Sequence, residues 1–380
     1  MNDANQSVLP VIIPWLVAHR GVSLAAAASL VLAMNLSSTI VQPLFGYLSD
    51  RRSLAWTIPL AMLLATAGVA LIGFVPTLPL MLAASLLSGI GSAAFHPEGS
   101  RYSNYFAGAR RASGMSWFTV GGYLGFALGP LAVTPLILAF GLRGTSALLL
   151  PAVAIALLLY GQMARFHEAR RVAHGARRER PGVDDWRGFG VLTLTVGIRS
   201  VAFLAAVTFM PIFAMRTAHV DTTLGSAALA ALLIAGAAGT MWGGRVADAI
   251  DRRRVVSLSL ILTVCFGAAL AAAGTYLPNY AVLAVLGAGY GFSIGLSAGV
   301  LVVLGQEYLP KRIGMASGVT LGLSVTVGGL TAPAFGAIGD HFGTVAIFAT
   351  IAACTFVAFA SSFLMPPVIS ATATHSIHLQ

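Results

Sequence analysis

Charge is scarce in this chain: Asp, Glu, Lys and Arg make up 9% of its 380 residues, against 57% hydrophobic. With a mean hydropathy of +0.87, that balance excludes an ordinary soluble domain and makes lipid the natural solvent for most of the surface. Cysteine is almost absent. The two present, Cys265 and Cys354, lie inside apolar runs without metal-ligand spacing, so both read as small core residues and no metal site is expected. No basic segment and small-residue cleavage site flank the first apolar run, so the sequence does not read as starting with a signal peptide. Also missing is a dense set of paired histidines, a Ser/His pair or an aspartate cluster, which argues against a multi-span membrane enzyme and for a protein without cofactors.

What the chain does have is long apolar runs, cut by short clusters of Arg, Asp, Pro and Gly. A span needs roughly 20 apolar residues to cross a hydrocarbon core of about 30 Å. Twelve such runs are expected near 4–18, 24–45, 55–75, 79–105, 113–140, 144–164, 188–214, 224–244, 255–275, 279–305, 314–338 and 343–365. They are continuous rather than alternating, which selects helices over a transmembrane barrel. The net charge of +10 could suggest nucleic acid as a partner, but the placement of the charges speaks against it. If the spans alternate, 18 of the 22 Lys and Arg residues fall on one side, seven of them between Arg165 and Arg187. Only Arg20, Arg143 and Arg216 fall on the other, and Arg199 lies within a span. By the positive-inside rule, the long 165–187 loop and the C-terminal tail are cytoplasmic.

The first run, Ala4 to Ala18, covers only about 22 Å at about 1.5 Å per residue, short of the membrane. The expectation is a first helix truncated at its N-terminus through a misassigned start codon. Upstream sequence without an in-frame apolar extension would remove that idea.

The two halves repeat. Gly46-Tyr47-Leu48-Ser49-Asp50-Arg51-Arg52 follows the second run, and Gly244-Arg245-Val246-Ala247-Asp248, continuing to Asp251-Arg252-Arg253-Arg254, follows the eighth, at an offset of 198. Gly89-Ile90-Gly91 recurs as Gly289-Tyr290-Gly291 at 200, and Ala112-Ser113-Gly114 as Ala316-Ser317-Gly318 at 204. Three ordered matches at nearly one offset mark an internal repeat. Six helices, a basic linker and six more helices form the parallel-repeat plan of secondary transporters, with substrate near the midplane.

These motifs resemble the major facilitator superfamily over the whole chain. That resemblance implies an all-α membrane fold of 12 transmembrane helices in two six-helix bundles, here 1–164 and 188–380, joined by a cytoplasmic linker at 165–187. The Gly-x-x-x-Asp-Arg motif supplies Gly46, Asp50, Arg51 and Arg52, then Gly244, Asp248, Arg252 and Arg253, with Ala249 where a basic residue is usual. A helix-end carboxylate beside arginines can lock helix ends together in one conformation and release them in another. Charge bias alone would explain the arginines but not the repeated glycine and aspartate. Gly125-Phe126-Ala127-Leu128-Gly129-Pro130 resembles a motif of proton-coupled exporters in the superfamily. Its physics is close helix packing at the glycines and a bend at the proline.

Phe95-His96-Pro97-Glu98-Gly99-Ser100-Arg101 puts three ionisable groups and a proline into one span. Such groups are costly in lipid and should face a cavity or one another. With Asn2-Asp3 and Arg199-Ser200, the stretch resembles the fosmidomycin resistance branch of the superfamily, which usually carries a histidine shortly before the Asn-Asp pair. As chemistry, Asp3, Glu98 and His96 are candidate proton carriers. Arg101 and Arg199, with Asn2 and Ser200, could bind an anion such as a phosphonate, and Trp117 and Tyr123 could stack on it. The structural alternative for Glu98 and Arg101, three residues apart, is an ion pair at the membrane edge. The resemblance implies a monomeric drug/proton antiporter of the bacterial inner membrane, exporting small compounds such as fosmidomycin. Its partners would be substrate, protons and lipid. A proton-coupled uptake symporter for an organic anion or sugar is the alternative, because fold does not fix direction or substrate.

Overall fold

The computed structural model describes residues 1–52, 54–179 and 182–368; the C-terminal tail expected from the sequence falls largely at 369–380, outside the described residues. Among the described residues every regular element is a helix: α1 (Asn2–Arg20), α2 (Leu24–Arg51), α3 (Thr57–Ile72), α4 (Leu78–Ala107), α5 (Arg111–Phe140), a 3-10 stretch (Gly141–Leu148), α6 (Leu149–Gly161), α7 (Met163–Glu179), α8 (Trp186–Ala218), α9 (Thr222–Ala249), α10 (Arg252–Tyr276), α11 (Tyr280–Gly295), α12 (Ala298–Tyr308), α13 (Ile313–Phe342) and α14 (Thr344–Ser362). Among the described residues, eight stretches are long and apolar enough to cross a bilayer, and two shorter apolar helices lie at Thr57–Ile72 and Ile313–Leu323. One of the eight, Arg111–Gly161, has 51 residues, roughly twice what one crossing needs. It reverses at Gly141, whose φ of +61° is a left-handed conformation that favours glycine. Counting α5 and α6 separately and adding α1, α3 and α13 gives the twelve spans.

Several helix starts are written in the sequence. Ser23 accepts from the Ala26 N–H, Asp185 from Gly188, Asp221 from Leu224 and Asn279 from Ala281 and Val282. Each satisfies N–H groups that a first turn leaves without an intrahelical acceptor.

Three expectations are revised. The 165–187 linker is mostly the helix α7 rather than a loop, since Ala, Arg, Met and Glu are good helix formers and the repeated charge does not prevent a helix. The tenth span is two helices, α11 and α12, separated at Leu296 and Ser297. Cys265 is exposed rather than in the core; on a span, the outward face contacts lipid, where a small apolar residue costs nothing. Large apolar side chains such as Leu131, Leu138, Leu150 and Ile234 are likewise exposed.

The chain divides into two compact units. The first holds Met1–Phe106, Gly121–Pro181 and Arg312–Gly322; the second holds Ala107–Val120, Gly182–Lys311 and Leu323–Gln380. The starts of α5 and α13 are thus exchanged between them. In the first unit, Val8, Leu9, Ile12, Leu30, Val69 and Met81 form an apolar core. Gly91 lies against the backbone of Ala61 and Ala65, and Gly89 against Met34 and Ser37. In the second unit, Met210, Phe213, Leu232, Tyr290, Ile294 and Phe348 do the same. There α9 and α11 meet through reciprocal glycines: Gly239 on Phe292, Gly243 on Leu296, Gly291 on Leu232 and Gly295 on Gly236. Small residues on a membrane helix interface let backbones approach closely. Filling this groove tests the packing. Gly239→Leu places a side chain on the Phe292 carbonyl, and we expect a loss of roughly 1–3 kcal/mol or more, read as a lowered Tm in detergent. Gly190→Ala, where nothing lies within 4 Å, should leave Tm unchanged or slightly raised.

Candidate functional site

The polar groups near the start of α1 converge on α4 within the first unit. The Asn2 Nδ2 donates to Ser92 Oγ at 3.1 Å and to Asp3 Oδ1 at 3.2 Å, and lies 3.3 Å from His96 Nε2. Gln6 Nε2 donates to the same Ser92 hydroxyl at 2.6 Å. His96 Nε2 stands 3.3 Å from Asp3 Oδ1, with both side chains largely shielded. Ser92 and His96, four apart, share a face of α4, and the Asn-Asp pair meets that face from α1. Asp3 is brought to it by the glycine stripe of α5. Gly125 packs against Ala4 and Asp3, Gly129 against Ala4 and Ser7, and a side chain on Gly122 would strike the Asp3 carboxylate. The Gly125/Gly129 motif therefore holds α1 beside α4.

Glu98 and Arg101 do not join this cluster. The Arg101 guanidinium donates to the Asp50 carboxylate and to the Ser49 carbonyl, and reaches Glu98 Oε1 at 3.5 Å. It is 4% exposed. Of the two readings open in the sequence, anion binding and an ion pair, the geometry matches the ion pair, extended to Asp50.

Asp50 has a second set of partners. One carboxylate oxygen accepts from the Gly314 N–H at 2.9 Å and the other from Met315 at 3.0 Å; these are first-turn amides of α13. In the second unit Asp248 does the same for α5, accepting from Ala112 at 3.0 Å and Ser113 at 2.9 Å. The free N–H groups and positive dipole end of a helix favour a carboxylate there. The glycine four residues earlier explains how it gets there. Gly46 lies against the Gly314 backbone, and a side chain on Gly244 would strike Ala112 and Ser116. One helical turn separates glycine from aspartate, so both lie on one face: the first removes bulk and the second fills the space with a cap.

Each cap has an arginine between two carboxylates. Arg101 lies between Asp50 and Glu98; Arg252 lies 3.6 Å from Asp248 and 3.1 Å from Glu307. Sequence reading did not single out Glu307, whose signal was an acidic residue two positions beyond the expected end of the tenth run. Of the arginines expected at the two motifs, Arg252 lies beside Asp248, whereas Arg51 stacks over Tyr47 at 4.3 Å and Arg52 is exposed. Arg253 bonds Asp251 at 2.7 Å and the Met365 carbonyl at 3.2 Å. That hydrogen bond holds the Asp251 carboxyl, in the turn before α10, below its ordinary range.

Arg199 is buried in the second unit. It donates from Nε to Ser297 Oγ at 3.1 Å and from a terminal nitrogen to the Ile294 carbonyl at 2.5 Å. Ser200 is buried beside it, Tyr123 is half-buried, and Trp117 is 62% exposed. Pro130 lies inside an unbroken α5.

Twelve apolar spans in two repeats, with paired helix caps at the repeated motif, define a polytopic helical membrane protein of the secondary-transporter type. The sequence profile described as Major Facilitator Superfamily matches residues 1–330, and the chain belongs to that superfamily of transporters, which are not enzymes. It is 29% identical over 347 residues to the fosmidomycin resistance protein of Escherichia coli (strain K12), covering 90% of this chain and 84% of that protein. It is 29% identical over 359 residues, 90% of this chain and 85% of the relative, to YfnC of Bacillus subtilis (strain 168), described as an uncharacterized MFS-type transporter. Among solved structures, the proton:xylose symporter XylE matches with a TM-score of 0.75 at 15% identity, over 98% of this chain and 96% of its own. The Escherichia coli fucose:proton symporter FucP matches at 0.74 and 12%, over 96% of each chain. The human organic anion transporter MFSD10 matches at 0.71 and 17%, over 95% and 96%. At these identities the structures show the fold.

The caps can be read directly. Losing a capping side chain costs about 1 kcal/mol. Asp50→Ala should therefore speed hydrogen exchange roughly five- to tenfold at Gly314 and Met315, and Asp248→Ala should do so at Ala112 and Ser113. Unchanged protection would remove the caps from the account.

Proposed function

We propose that this transporter is a proton-coupled antiporter that exports small anionic compounds, of which a phosphonate such as fosmidomycin is the model, by alternating access. The largely shielded His96–Asp3 pair carries the reading. An imidazole and a carboxylate 3.3 Å apart can share one proton, and their joint affinity for it changes when either moves. The pair joins two separate helices, α1 and α4, so a shift of one against the other would load or release the proton. Inside a membrane such groups are rare and belong with transport pathways. The substrate class rests on the fosmidomycin resistance relative.

In this reading the moving bodies are 1–164 and 188–380, connected by 165–187. The arginine-rich ends face the cytoplasm of a bacterial inner membrane, and the protein acts as a monomer. The caps at Asp50 and Asp248 hold the cytoplasmic ends shut, and both must leave their helix N-termini for that side to open. Arg101 and Glu98 belong to the first cap and Arg252 and Glu307 to the second, so Glu98 tunes the gate and the His96–Asp3 pair carries the coupled proton.

Proteoliposomes with an imposed pH gradient test this. Asp3→Asn and His96→Gln should each reduce proton-driven fosmidomycin movement by about tenfold or more, while exchange without a gradient persists. Full gradient-driven transport in Asp3→Asn would sink the coupling assignment. Gene deletion should lower the fosmidomycin concentration that cells tolerate, and accumulation in the same direction as protons would make the protein a symporter.

A further inference from the structure

The side-chain amide of Asn2 sits beside the His96–Asp3 pair, and it has fewer hydrogens than neighbours to receive them. Its Nδ2 carries two. Three acceptors stand around it, all in the first unit: Ser92 Oγ at 3.1 Å, Asp3 Oδ1 at 3.2 Å and His96 Nε2 at 3.3 Å. Ser92 Oγ also receives Gln6 Nε2 at 2.6 Å, so both of its lone pairs are taken and one Asn2 hydrogen is committed there. The other is left for Asp3 or His96, and the carboxylate is the stronger acceptor. His96 Nε2 then stands between an amide nitrogen and a carboxylate oxygen, each 3.3 Å away. A lone pair on Nε2 would face the charge of Asp3, whereas a hydrogen there is donated to it. The partner of one ring nitrogen fixes the tautomer of the whole ring.

That leaves Nδ1, on the other edge of the ring, as the nitrogen that can change. Uptake of a proton there gives an imidazolium with hydrogen on both nitrogens. The pair then passes from one net negative charge to none, and an isolated charge is the more costly state away from water. Pro97 contributes too. It has no N–H, so the Ala93 carbonyl in the preceding turn lacks its usual intrahelical donor. A helical side chain leans back over that turn, so an acceptor stands on the side where the new Nδ1–H appears. The other charged side chains on this stretch of α4, Glu98 and Arg101, are engaged at the Asp50 cap, and α5 meets Asp3 with glycines.

We propose that the coupled proton binds at Nδ1 of His96 while the hydrogen between Nε2 and Asp3 stays in place, and that Asn2, fixed by Ser92 and Gln6, is the positioning residue that holds this tautomer. The assignment rests on the His96–Asp3 coupling proposed above and locates its proton. Asp3 stays ionised throughout, and its charge stabilises the imidazolium. Withdrawal of α1 from α4 removes that charge, and the proton leaves Nδ1. Only an N–H bond forms and breaks: water on one side of the membrane supplies the proton and water on the other takes it back. Asn2 thereby serves the proton and not the anion.

Solid-state NMR of the full-length protein in lipid, with nitrogen-15 histidine and the His96 signals assigned by difference from His96→Gln, separates the two ring nitrogens. In alkaline buffer we expect one tautomer, protonated at Nε2, and in acid a second hydrogen at Nδ1. Asn2→Leu and Ser92→Ala should each turn the alkaline spectrum into a mixture of both tautomers and lower gradient-driven fosmidomycin transport about threefold or more. Ser92→Thr, which keeps the hydroxyl, should restore the single tautomer. A parent protonated at Nδ1 in alkali, or one that gains no second hydrogen in acid, would overturn the assignment without recourse to any variant. An alkaline spectrum unchanged in both Asn2→Leu and Ser92→Ala would remove Asn2 from it. If Nδ1 titrates as expected but fosmidomycin moves without regard to the pH gradient, the antiport reading fails and the proton site stands. Gradient-driven transport with the proton exchanging at Nε2 would have the reverse meaning.

Discussion

Two carboxylates set against two helix N-termini are the interaction on which this structure turns. A helix that begins at the edge of a membrane has free N–H groups, and a carboxylate there has charge to be neutralised. Asp50 and Asp248 answer both needs at once, each oxygen taking one amide. Arg101 and Arg252 then stand between the capping aspartate and a further acid. Each group thus sets one arginine between two acids, and the capped helix N-terminus supplies further positive partial charge to the aspartate.

The fold was legible in the sequence because lipid makes the rule simple. Backbone groups must be met within the element, so continuous apolar runs mean helices, and their number and charge asymmetry give the plan. The repeat was legible for a related reason: Gly46 and Asp50 do one geometric task and Gly244 and Asp248 repeat it, so the same spacing had to recur. What the sequence could not convey was the partner. The aspartates looked as though they belonged to the arginines beside them, whereas their acceptor sites go to main-chain amides 135 to 265 residues away. A main-chain partner leaves no compositional trace. The break in the tenth span was hidden for the opposite reason, since its run is apolar throughout and the donors that meet its carbonyls, Ser259, Thr240 and Arg199, lie on other helices.

Of the candidate site, the sequence brought forward ionisable groups on α1, α4 and α8 and gathered them into one centre. The structure sorts them by helix face. Asp3 and His96 meet through Asn2 and Ser92. Glu98 and Arg101, only two and five residues further along α4, fall to Asp50. At about 100° per residue, such a step is enough to point a side chain at a different neighbour. The glycine stripe of α5 serves the first of these groups by admitting α1, so a motif that reads as packing also positions an ionisable side chain.

Because Asp50 and Asp248 hold amide groups and not side chains, the receiving ends of α13 and α5 contribute to each cap simply by being helices. A change of side chain at Met315, Ala112 or Ser113 leaves the donors in place. Heritable variation in the strength of each cap must therefore enter through the aspartates, the glycines that admit them or the acids and arginines around them. Half of each clasp has no side chain through which it could drift.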